Sequence, residues 1–121
     1  MKKRILVIED TADNRRILRD LLTAAGYEIT EAEDGATGVA MAAEQKPDLI
    51  LMDIQLPVID GYEATRRIKA DPATRHIPIV AVTSYALAGD EAKTREAGCD
   101  GYIAKPYSPR NLLEKVRGFL A

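Results

Sequence analysis

With 121 residues, nineteen acidic against seventeen basic for a formal charge of -2, and 46% hydrophobic residues, the chain has the size and balance of one globular domain that buries its own core. The two charge signs are interspersed, which excludes the basic footprint of a nucleic-acid binder or a membrane-surface protein, and no apolar run reaches membrane-spanning length. A single cysteine, Cys99, excludes an internal disulfide and a cysteine-rich zinc site; a free structural thiol suits a reducing cytoplasm. The opening MKKRILVIED starts like a signal peptide, but its apolar run stops at Glu9 after four residues. Residues 5–8 therefore read as a first strand, ending in Glu9 and Asp10.

A helix follows in TADNRRILRDLLTAAG, with Ile17, Leu18, Leu21, Leu22 and Ala25 at helical spacing, Thr11 or Asp13 as cap and Gly26 as stop. Residues 27–32 alternate, Tyr27 and Ile29 against Glu28 and Thr30, and predict a second strand near the sheet edge. Asp34 and Gly35 turn into a helix with Val39, Ala40 and Ala43 inward, closed before Pro47. The stretch DLILMDIQLPVIDG, residues 48–61, is the centre of the chain. Leu49, Ile50, Leu51 and Met52 are too short a run for an ordinary helix and suit a strand buried on both faces. That strand stops at Asp53 and opens into a loop through Gln55, Pro57, Asp60 and Gly61.

Residues 62–70 predict a helix with Ala64 and Ile68 inward, ended by Asp71 and Pro72. Residues 77–82, IPIVAV, are the fourth strand, ending at Thr83. The helix after it has a thin stripe (Ala86, Leu87, Ala92, Ala97), weakened by Gly89. A short fifth strand, residues 102–104, ends at Lys105 and Pro106. Ser108 caps the last helix, with Pro109 at its first position and Leu112, Leu113, Val116, Phe119 and Leu120 inward. Five strands alternating with five helices, without linker or repeat, predict an α/β doubly wound parallel sheet.

In such a sheet the strand ends share one edge, where ligands bind. Glu9 and Asp10, Asp53, Thr83 and Lys105 all fall there. Taken singly, Asp10 and Thr83 could be helix caps and Lys105 a surface lysine; the set favours a site. Clustered carboxylates repel unless they share a cation, and all-oxygen ligands suit a hard ion such as Mg²⁺. An opposed lysine and a hydroxyl suit phosphoryl oxygens. The chemistry best served is phosphoryl transfer, with Asp53 as acceptor.

These pieces (ILVIED, DLILMDIQLPVIDG, IPIVAVTS and GCDGYIAKPYSP) resemble the receiver domains of two-component response regulators, over essentially all 121 residues. The resemblance implies a single receiver domain, residues 1–121, with a flavodoxin-like (CheY-like) five-stranded sheet of order 2-1-3-4-5 and five helices. It implies that Asp53 is the phosphoacceptor and that Mg²⁺ is the cofactor. The ion would be held by Asp10, Asp53 and the backbone carbonyl of Gln55, with Glu9 acting through water. Thr83 resembles the switch hydroxyl, Lys105 the phosphate-binding lysine before a cis peptide to Pro106, and Tyr102 the aromatic switch residue.

Position 9 is Glu where many members have Asp, which should lengthen the arm toward a metal water. Gln55 and Tyr85 occupy variable positions that tune phosphoryl lifetime in the family. The implied partners are a sensor histidine kinase or histidine phosphotransfer protein, with pairing read at Asn14, Arg15 and Leu18, and a downstream target protein. Neither direct DNA binding nor membrane association is implied. The IED, AVTS and KPYSP signatures look most like stand-alone regulators of the cell-cycle or phosphorelay kind.

The implied mechanism is a two-state switch that remodels the fourth helix, fifth strand and fifth helix. His76 reads as plain surface. A haloacid dehalogenase-type hydrolase would want a second acid where Gln55 stands, and a flavin carrier would want a phosphate-cradling loop where EDTADN places acids. A receiver reduced to a constitutive binding module fits poorly with the intact acid, hydroxyl and lysine set.

Overall fold

The computed structural model describes residues 2–83 and 90–120. In chain order the elements are β1 (Arg4–Ile8), α1 (Ala12–Ala24), β2 (Glu28–Ala32), α2 (Gly35–Gln45), β3 (Leu49–Asp53), α3 (Gly61–Ala70), β4 (Ile79–Thr83), α4 (Asp90–Ala97), β5 (Gly101–Ala104) and α5 (Pro109–Leu120). The five strands form one parallel sheet in the order β2-β1-β3-β4-β5. The chain doubles back between β1 and β3, which pair from Ile5 with Leu49 to Ile8 with Met52. This register places the residues after Ile8 beside Asp53.

Every residue of β3 and β4 is buried, as the short apolar runs predict for strands covered on both faces. One face carries Ile5, Val7, Leu49, Leu51, Val80 and Val82, closed by Leu18 and Leu22 of α1 and Leu112 and Val116 of α5. The other carries Leu6, Ile8, Ile50, Met52, Ile79 and Ala81, closed by Ala42 of α2 and by Ala64 and Ile68 of α3. β2 is the half-buried edge strand that its alternation predicts.

Two helix faces differ from the sequence reading. Ile17 does not point inward; it is half exposed, because Leu18 and Leu22 fill the α1 contact. In α2 the buried positions are Gly35, Gly38 and Ala42, with Val39 half-buried and Ala40 and Ala43 exposed. The cause is close approach: a Cβ on Gly38 would lie 2.5 Å from Ile8 Cδ1, so α2 meets β1 through its smallest residues.

Among the described residues, side-chain caps close three helix starts, one of them, Asp60, read from the sequence only as a loop residue. Asp34 accepts from Thr37 N at 2.7 Å, Asp60 from Glu63 N at 2.8 Å and Ser108 Oγ from Asn111 N at 3.1 Å, whereas Thr11 caps α1 without a side-chain bond. β4 begins two residues later than expected. The expected stripe residues Ala86 and Leu87, the weakening Gly89, and Tyr85 lie outside the described residues. Of the remainder, Ala97 is buried and Ala92 exposed. His76 is exposed, as expected.

A cross-link that the sequence does not announce ties α3 to the start of β5. Lys69 Nζ donates to Arg75 O at 3.0 Å, Ile77 O at 2.8 Å and Asp100 Oδ2 at 2.9 Å, and the same Asp100 oxygen accepts from Ile79 N at 2.9 Å. This knot anchors the starts of β4 and β5 at the edge opposite the strand ends that carry the acids.

Candidate acidic site at the strand ends

Each strand delivers a residue to the same edge for a local reason. β1 stays paired just past its end, where Glu9 N donates to Ala32 O at 3.0 Å, so Glu9 is still held in the sheet. β3 carries Asp53 as its last residue, paired in register with Val82. Lys105 N donates to Thr83 O at 2.7 Å, which sets the lysine beside the end of β4, and the Lys105–Pro106 peptide is cis, as expected.

The edge brings together Glu9, Asp10 and Asp53, which offer carboxylate oxygens all within 4.8 Å of one another. Glu9, Asp53 and Thr83 are buried, while Asp10 is exposed. Lys105 Nζ lies 3.2 Å from Glu9 Oε1 and 3.8 Å from Asp53 Oδ2. Asp53 Oδ1 accepts the backbone N–H of Gln55 at 3.1 Å. A cleft of about 460 Å³ opens over this edge, lined by Asp10, Gln55, Asp60, Tyr62, Thr83 and Lys93 among others. Tyr102 lies one strand away, half-buried in β5 with Ala81 as its register partner.

The electrostatics follow from that crowding. Burial pushes the Asp53 carboxyl up to about 7, reinforced by the hydrogen bond and charge of Glu9 and opposed by Lys105 and the Gln55 N–H. Burial also opposes ionisation of Glu9, but hydrogen bonds from Asp53, Asn14 and Lys105 outweigh it and lower its pKa. The two carboxyls are thus shifted in opposite directions, Asp53 up and Glu9 down. Such a set, acidic, all-oxygen and faced by the Lys105 ammonium, fits a hard divalent cation.

Two residues that the sequence suggested only for partner pairing belong to the site's frame. Asn14 Nδ2 donates to Glu9 Oε1 at 2.7 Å, and Arg15 donates from Nη1 to the Glu9 carbonyl at 2.8 Å. Their spacing, five and six residues beyond Glu9, is the signal: it sets both on the first turn of α1, above the end of β1.

A family comparison now matches residues 5–117 to the response regulator receiver domain. The chain belongs to this family. Among receiver proteins, the polar-differentiation response regulators DivK of Brucella anthropi and Brucella ovis are 43% identical over 120 residues, covering 99% of this chain and 98% of each relative. Solved receiver structures superpose closely. The receiver domain of the sensor histidine kinase PA1611 from Pseudomonas aeruginosa PAO1, which has a magnesium ion coordinated in its active site cleft, is 38% identical with a TM-score of 0.93, over 99% of this chain and 98% of that one. The chemotaxis response regulator CheY4 of Vibrio cholerae is 25% identical with a TM-score of 0.93, over 98% and 99%. The receiver fold and its sheet order are thus those expected from the sequence.

Proposed function

We propose that this receiver domain is a phosphorylation-activated switch in which Asp53 takes a phosphoryl group from a phosphohistidine of a partner protein. The observation that carries the reading is the meeting of Asp53 with Glu9, Asp10 and Lys105 at one edge of the sheet. Asp10, Asp53 and the backbone carbonyl of Gln55 would hold Mg²⁺, with Glu9 reaching it through water; the magnesium-bound relative supports this assignment. When bound, the ion supplies positive charge toward the donor's phosphoryl oxygens.

The chain's own residues do the rest. An ionised Asp53 oxygen attacks phosphorus, the P–N bond of the phosphohistidine breaks, and the imidazole nitrogen leaves with the electron pair. Lys105 meets a phosphoryl oxygen with its ammonium, and the buried Thr83 offers a hydroxyl to another. Lys105 now lies nearer Glu9 than Asp53, so engaging the phosphoryl group shifts its allegiance across the cleft.

The response is a population shift in which Thr83 and Tyr102 move toward the phosphoryl group and the face of α4, β5 and α5 is remodelled for a downstream protein. The partners are a histidine kinase or histidine phosphotransfer protein and a target read through protein contacts. No separate substrate is turned over; the group modified is the protein's own carboxylate.

Intact-mass spectrometry after incubation with Mg²⁺ and acetyl phosphate tests the reading. A single Mg²⁺-dependent phosphoryl adduct on the wild type, absent from Asp53→Ala, is the expected result. A folded wild type that takes no adduct overturns it.

A further inference from the structure

We infer that Asn14 is a positioning residue of the acceptor site, holding Glu9 by Oε1 so that Lys105 stays available to Asp53; this rests on the phosphoacceptor reading above. Two donors converge on Glu9 Oε1. The Asn14 amide is the closer at 2.7 Å, and the Lys105 ammonium lies at 3.2 Å. The other oxygen, Oε2, accepts the Asp10 backbone N–H at 3.0 Å. The Glu9 side chain is only 3% exposed, so these donors, rather than bulk solvent, balance its charge.

Lys105 is the one cation among the described residues that reaches both carboxylates. A neutral amide on Glu9 Oε1 takes over part of the work of satisfying that oxygen. Without it, Lys105 compensates Glu9 alone and is drawn further from Asp53, from which it is already 3.8 Å away. The amide is held where this matters. Its neighbour Arg15 donates to the Glu9 carbonyl and pairs with Glu31 and Glu33 at 3.6 Å each, and with 13% of its side chain exposed it anchors the first turn of α1 to the end of β1. Asn14 is therefore part of a built frame around Glu9, and its effect does not depend on which partner docks on α1.

A small phosphodonor separates this role from partner selection, because acetyl phosphate docks on no helix. Phosphorylation rates by intact mass and Mg²⁺ affinity by calorimetry are compared for wild type, Asn14→Leu, Asn14→Gln and Asn14→Asp. Asn14→Leu, close to isosteric but without a donor, is expected to slow phosphorylation and weaken Mg²⁺ binding about tenfold each, the usual scale for losing a residue that orients a metal site. Asn14→Gln, which restores the amide, recovers most of both. Asn14→Asp, which sets a further carboxylate against Glu9, phosphorylates more slowly than Asn14→Leu.

A folded Asn14→Leu within about twofold of wild type in both measurements overturns the inference. So does an Asn14→Gln that is as impaired as Asn14→Leu, since the position would then matter only for packing. A wild type that takes no phosphoryl group fails the acceptor reading instead, and the Mg²⁺ affinities then decide the part of Asn14 by themselves.

Discussion

At the scale of single residues, the Asp53 carboxyl stands far from its ordinary state. Its pKa rises from 3.8 to about 7, through burial first and then through Glu9. A carboxyl whose folded pKa lies above its ordinary value favours the folded state most at low pH. That contribution is complete below the ordinary value and is lost as pH climbs through about 7. Metal-free protein should accordingly lose stability between about pH 4 and pH 7, and Asp53→Asn should remove much of that slope. Denaturant titrations at several pH values, with chelator present, measure it; parallel slopes for the two proteins count against the raised Asp53 pKa. Because a carboxylate binds a cation only when ionised, Mg²⁺ affinity should fall as pH drops through this range.

Cys99 belongs to the same scale but to a different role. Burial pushes its thiol up, and its Sγ lies 3.7 Å from Thr65 Oγ1. It is a core residue, as its isolation in the sequence suggests.

At the scale of elements, the connection between β3 and α3 is where geometry is tightest. A Cβ on Gly61 would lie 2.4 Å from the carbonyl oxygen of Asp53 and 2.7 Å from Ile54 Cα. Both are backbone atoms with no freedom to yield, so Gly61→Ala has to displace the acceptor strand or the start of α3. We expect a loss of about 2–3 kcal/mol, in the range for overpacking a tight interior, together with slowed phosphorylation by acetyl phosphate. An unchanged denaturation midpoint would contradict this contact. The nearby Val58, 81% exposed at φ 74°, closes a tight turn in which Ile59 N donates to Pro57 O at 2.9 Å, and carries the strain that goes with a branched residue in that region.

The switch is also an element-scale expectation. If phosphorylation remodels α4, β5 and α5, amide exchange across residues 92–104 should change with acetyl phosphate and Mg²⁺ while that of residues 18–22 in α1 does not. Equal protection throughout argues for a constitutive surface.

At the scale of the whole molecule, the parallel sheet gathers groups far apart in the chain. Glu9 and Lys105 are 96 positions apart and meet at 3.2 Å. Ligand binding at that edge therefore couples to global stability. Mg²⁺ at about a hundred times its dissociation constant should add about 2.7 kcal/mol, since it binds the assembled edge and not the open chain. Asp53→Ala should lose most of this increment. Thermal melts with and without Mg²⁺ provide the comparison, and an equal gain in the variant would place the ion elsewhere.

The short apolar runs of β1, β3 and β4, their acids and hydroxyl, the turn into α2 at Asp34 and the cap at Ser108 were legible in the sequence because each is a local pattern with a local cause. Strand class, element order and the identity of the clustered side chains follow from it. Helix faces were less legible. Periodicity at Ala40 and Ala43 pointed inward, but α2 turns Gly35, Gly38 and Ala42 to the sheet because only they admit the close approach of Ile8. Ile17 likewise lost its place to Leu18 and Leu22. What tertiary structure alone decided is how the gathered charges are shared: that Asn14 and Lys105 divide one oxygen of Glu9, that Arg15 fixes Glu9 from behind, and that Lys69 knots β4 to β5 through Asp100. Residue types and spacing specify which groups reach an edge, whereas distances of 2.7 to 3.8 Å between side chains from different strands and helices exist only once the sheet has closed.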